Sequence, residues 1–146
     1  MDIPDVLSRL ALALGIGLLI GLERGWQTRE AEAGSRAAGI RTFAISGLLG
    51  STAAAIATAS GGAGSAGGGI LLAVAFAAYA AVITAFCRDE NRADQTFSAT
   101  TAVAAILTFA LGAYSAVGDI RVAAAAGVAT AGVLAAREEL HGWVKS

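Results

Sequence analysis

A chain of 146 residues that is 56% apolar and only 14% charged, against roughly 25% charged for an ordinary soluble domain, cannot cover its own surface with polar groups. A water-soluble globular fold is thereby excluded. The net charge of −1 gives no reason to expect a nucleic-acid partner, and the single Cys87 excludes an internal disulfide.

The charges fall in clusters separated by five apolar runs, at 6–22, 40–59, 70–87, 97–117 and 122–136. This pattern predicts an all-α integral membrane bundle of about five transmembrane helices, one transmembrane domain over 1–146. The 37 alanines and 19 glycines suit it, because small side chains let backbones approach closely inside lipid. The first run is expected to stay in the mature protein, since Asp2 and Asp5 stand where a cleaved signal peptide carries basic residues. Between the second and third runs, GGAGSAGGG at 61–69 reads as an uncharged flexible turn. Its G-x-G-x-x-G at Gly62, Gly64 and Gly67 lacks the preceding strand that a dinucleotide site requires. The fifth run is short. It spans if its ends continue into Arg121 and Arg137, whose long side chains can snorkel, and otherwise lies as an interfacial helix.

Five spans divide the basic residues unevenly. Arg9 and Arg121 fall on one side, and Arg24, Arg29, Arg36, Arg41, Arg88, Arg92, Arg137 and Lys145 on the other. The positive-inside rule then predicts an outside N-terminus and a cytoplasmic C-terminus. For Arg29, Arg36, Arg92 and Arg137, anchoring at the membrane surface is sufficient explanation.

The cytoplasmic ends of the helices gather the polar candidates. The first helix closes on Glu23 and Arg24, and the second opens with Arg41 and Thr42, so Glu23 and Arg41 are expected at similar depth and able to pair. Arg88, Asp89 and Glu90 end the third helix, and Asp94, Thr100 and Thr101 precede or open the fourth. Ionisable groups at the margin of a bundle usually turn inward, pair, or line a polar path. The alternative is an ion-pair network that only fixes helix ends. Gly17, Gly21 and Gly25 form two overlapping G-x-x-x-G steps on one face of the first helix, and Gly47, Gly50 and Ala54 smooth the second. Those two helices are expected to pack together.

The run GLER at Gly21 to Arg24, AGIRTFA at Ala38 to Ala44 and GLLG at Gly47 to Gly50 resembles the N-terminal membrane region of the MgtC/SapB family. TTAVAAILTFALGA at Thr100 to Ala113 and the closing AAREELHGWV are similar to a branch of that family found in larger multi-span proteins. The resemblance implies a bacterial inner-membrane protein with five N-terminal helices and an outside N-terminus. It also implies links to magnesium limitation, and to modulation of other membrane proteins such as the ATP synthase and the phosphate-uptake machinery. The namesake members continue into a cytoplasmic C-terminal domain, so a short form without that domain's regulatory role is expected here, assembling as an oligomer.

Two functions follow. In one, the chain is a small-ion transporter or channel-like protein linked to magnesium or phosphate homeostasis. Glu23, Arg24, Arg41, Thr42, Thr100 and Thr101 then line the path, which needs a homo-oligomer because five short helices enclose little space. In the other, the chain is a non-transporting regulator that binds another membrane protein through its glycine faces. No cofactor is expected. No enzyme is expected either, since the isolated His141 and the remaining residues supply no nucleophile with a positioned base. Every candidate carboxylate has an arginine close by, which favours ion pairs over a divalent-cation site. An anion site on Arg24, Arg41 and Arg88 is as readily drawn.

Overall fold

In lipid the backbone must satisfy its own hydrogen bonds, which leaves helices and closed barrels as spanning structures. A computed structural model describes residues 2–30, 34–61, 65–136 and 143–144, and builds the chain from five principal helices. They are α1 (Ile3–Gln27), α2 (Ile40–Ala59), α3 (Ala66–Ala93), α4 (Thr100–Val117) and α5 (Ile120–Ala135). The first four are long and apolar enough to cross a membrane. With 16 residues, α5 is about 24 Å long, short of a hydrocarbon core of about 30 Å.

Local chemistry sets the helix ends. Pro4 lies in the first turn of α1, where its missing N–H leaves no bond unmade, and Asp5 complements the positive pole there. The turn expected over 61–69 is shorter than its composition suggests, because α3 already begins at Ala66. Ser65 caps it, its hydroxyl oxygen accepting the Gly68 N–H at 3.0 Å, and this bond offsets the entropy that glycines lose on entering a helix. Gly62 and Gly64 lie outside the described residues, as do Arg137, His141 and Lys145. Asp119 caps α5, its carboxylate accepting the Arg121 and Val122 N–H groups.

The end of α3 explains why α4 opens at Thr100 and not at Phe97. Gln95 takes a left-handed φ of 54°, the Gln95 N–H donates to the Arg92 carbonyl and the Thr96 N–H to the Asn91 carbonyl. This crossed pair of bonds is the Schellman ending, usually built on glycine. The Asn91 amide then donates to the Ser98 carbonyl at 2.8 Å, so the chain is still reversing direction at 97–99.

Three helices pack backbone against backbone. A Cβ at Gly17 would strike the Phe43 carbonyl of α2, and one at Gly47 the Ala13 carbonyl of α1. Gly21 holds Ile40 close enough that a Cβ would lie 3.0 Å from its Cα. Gly50 faces α4, where a Cβ would meet the Phe109 carbonyl, and a Cβ at Gly112 would meet Gly47. Gly47 therefore serves both neighbours of α2. Phe43, Phe109 and Ile20 fill what space remains.

The other two helices lean on this trio through side chains. Tyr79 of α3 donates its hydroxyl to Ser46 Oγ at 2.5 Å, with the Ala105 carbonyl within 3.3 Å, and its ring stacks on Phe109. Ile16 of α1 packs on Gly127 of α5. Among the five described helices, α3 touches only α2 and α4, and α5 only α1 and α4. Val74, Val82 and Phe86 of α3 are left exposed, a surface that suits hydrocarbon.

Candidate functional site

α1 and α4 run antiparallel, and an arginine of α1 reaches α4 at each end. At the start of α1, Arg9 Nη1 donates to the carbonyls of Ser115 (2.9 Å), Ala116 (3.4 Å) and Gly118 (2.9 Å), while its Nε pairs with Asp5 at 3.0 Å. Those carbonyls belong to the last turn of α4 and its exit, where helix acceptors otherwise go unmatched and a positive charge is favoured. Ser115 Oγ contacts the Arg9 carbonyl in return at 3.3 Å. Before folding, Arg9 looks like a topological charge only; the Asp5 four residues earlier is the one local hint of a fixed geometry.

At the far end of α1, Arg24 is 7% exposed and donates from Nη2 to Thr101 Oγ1 at 2.6 Å. The Arg24 carbonyl accepts the Thr28 hydroxyl at 2.9 Å, and Arg36 donates to the same Thr28 oxygen. The Ala37 N–H donates to Glu90 Oε2 at 2.9 Å, tying the α1–α2 connection to the end of α3. That gives Glu90 a backbone N–H as its partner, where the sequence favoured an ion pair with a nearby arginine. Arg29 folds over the Trp26 ring, 4.8 Å from its centroid.

Glu23 differs from all of these. Both of its carboxylate oxygens are buried and neither accepts a hydrogen bond. The expected pairing with Arg41 is absent: among the described residues the ion pair formed is Arg9–Asp5, and Arg41 is exposed. Helical geometry gives the reason. At 100° per residue, position 23 lies about 160° around α1 from Gly21 and Gly25, and it is those glycines that hold Ile40 at the start of α2. Glu23 shares instead the side of Ile16 and Ile20, toward α4 and α5.

Of the remaining sequence candidates, Thr42 is half-buried and its carbonyl accepts the Ser46 hydroxyl at 2.6 Å. Thr100 lines an apolar groove of about 550 Å³ between α4 and α5, with Thr130 and Leu134 opposite. The structure thus brings Arg24 and Thr101 together, with Glu23 next to Arg24 on α1, while no side-chain hydrogen bond or ion pair joins Arg41, Thr42 or Thr100 to them. No group of three metal-ligating side chains forms among the described residues.

Four long apolar helices with a fifth shorter one, and charges gathered at their ends, define a multi-pass helical membrane protein. The match of the MgtC family covers residues 10–143, and the chain belongs to that family. Both the GLER and the GIRT elements fall inside the matched region. No curated protein and no solved structure matches the chain.

Proposed function

We propose that this MgtC-family protein is a small-ion transporter or channel-like protein of magnesium or phosphate homeostasis, working at the Glu23–Arg24–Thr101 end of the bundle. The observation that carries the reading is the Glu23 carboxylate. A buried ionisable group without a donor is costly in a membrane helix, and such groups mark ion or proton paths more often than packing. In this reading Glu23 takes a transient cation or proton and Arg24, held by Thr101, sets the local field. The glycine contacts close the space between α1, α2 and α4, so the path runs between copies of the chain or beside α5. The membrane is a bacterial inner membrane, with the Arg24 end cytoplasmic by the excess of arginine there. No catalytic chemistry is assigned.

Proteoliposomes test this directly. Flux of magnesium, sodium, protons or phosphate above empty vesicles is expected, with loss in Glu23→Gln while the helical content stays intact. Flux at the level of empty vesicles for all four would overturn it.

A second reading, a non-transporting regulator, draws support from α3, which keeps Val74, Val82 and Phe86 exposed. Gly17, Gly21, Gly47 and Gly50 are used within the chain, so a partner would meet α3 and not the glycine faces. Photo-crosslinkers at Val82 should then capture a membrane protein from native membranes. Capture of lipid alone would count against this reading.

A further inference from the structure

α3 leaves its apolar sequence after Cys87, and the next basic positions, Arg88 and Arg92, stand four apart and so share one side of the helix. The Schellman ending at Gln95 and the bond from Asn91 to Ser98 fold the following residues back against that side. Between them lies a cavity of about 780 Å³. Its rim carries Arg88, Arg92, Gln95 and Thr96, its wall includes Cys87 and Ala102, and no carboxylate lines it. Of the neighbouring acids, Glu90 is engaged by the Ala37 N–H.

Neither the Arg88 nor the Arg92 guanidinium forms an ion pair or hydrogen bond with any described residue, although every other described arginine at this end except Arg41 has a side-chain partner. Phe97, beside them, is fully exposed. The cavity therefore joins two unpaired guanidiniums to an apolar wall at the end of a long membrane helix, where head groups meet hydrocarbon. A soluble anion has no use for the apolar wall. An uncharged ligand has none for the two arginines.

We propose that this cavity binds the head group of an anionic phospholipid. The phosphodiester oxygens sit between Arg88 and Arg92, with Gln95 and Thr96 as further hydrogen-bond partners. The acyl chains run along the exposed face of α3 past Phe86 and Val82. Paired guanidiniums suit the planar, two-oxygen recognition of phosphate, and basic pockets at helix ends are the sites where membrane proteins hold such lipids. The competing account is that Arg88 and Arg92 only complement the negative pole of α3. That account predicts no preference among lipids.

Native mass spectrometry of the full chain from detergent separates the two, titrating phosphatidylglycerol against phosphatidylcholine of the same acyl composition. A preference of about tenfold or more for phosphatidylglycerol is expected. It should vanish in Arg88→Gln/Arg92→Gln and survive in Arg29→Gln/Arg121→Gln, which removes the same charge elsewhere. Should the first double variant not fold, Arg88→Lys/Arg92→Lys keeps the charge and is expected to weaken the preference by loss of the two-pronged contact. Equal binding of the two lipids, or equal loss in the control variant, would overturn the proposal. Displacement of phosphatidylglycerol by inorganic phosphate would overturn it too, reassigning the cavity to a soluble anion.

Discussion

The two ends of α1 use the same residue type against the same helix, with opposite electrostatic sense. Arg9 meets the negative pole of α4 and satisfies three carbonyls there, so charge, dipole and hydrogen bonding agree. Arg24, 15 residues and about 22 Å further along, meets the first turn of α4 through Thr101. That turn is the positive pole, and the neighbouring Glu23 keeps a buried carboxylate without a donor. The Arg9 end is arranged for stability. The Arg24 end retains an unmet electrostatic demand, and that demand is what the proposed ion path rests on.

Breaking the first end should have the largest effect. Arg9→Met strips the last turn of α4 of its donor and is expected to cost about 3 kcal/mol, read as a lower unfolding midpoint in detergent. Glu23→Gln should move stability the other way, by about 1 kcal/mol, because it removes a buried ionisable group that has no partner. A loss of stability in that variant would mean that Glu23 is structural, and the contrast between the ends would collapse. Thr101→Val takes away the oxygen that receives Arg24, with an expected loss of about 1 kcal/mol in the same assay. Smallest of all, Gln95→Gly relieves the left-handed backbone at the end of α3 and should raise stability by about 0.5 kcal/mol. Because Gln95 also rims the cavity, the effect of Gln95→Gly on lipid binding can be read in parallel.

The bundle was legible because lipid imposes a coarse code: apolar runs of spanning length with charges between them. Element ends were less so. The start of α3 at Ala66 depends on one hydroxyl, Ser65, inside a stretch whose composition reads as loop. Gly17 and Gly47 announced close helix packing by their size and spacing, yet which helix each would meet depended on tertiary arrangement, and Gly50 turned to α4. At the site, GLER marked Glu23 and Arg24 correctly as polar groups at a helix end. Similar depth in the membrane suggested a Glu23–Arg41 pair, but depth fixes one coordinate and the helical face fixes the other. Arg9 and Tyr79 were silent for a related reason. Their partners lie 106 and 33 residues away, and no local pattern encodes such a meeting.

The glycine contacts also decide how this protein can move. Where a carbonyl of one helix rests against a Cα of the next, sliding by even about an ångström meets hard atoms. Helices α1, α2 and α4 must therefore travel as one body. α3, held by the Tyr79 hydroxyl and ring, and α5, resting Gly127 on the branched side chain of Ile16, have softer seats. Relative movement therefore meets least resistance at the seats of these two outer helices and most within the three-helix plate.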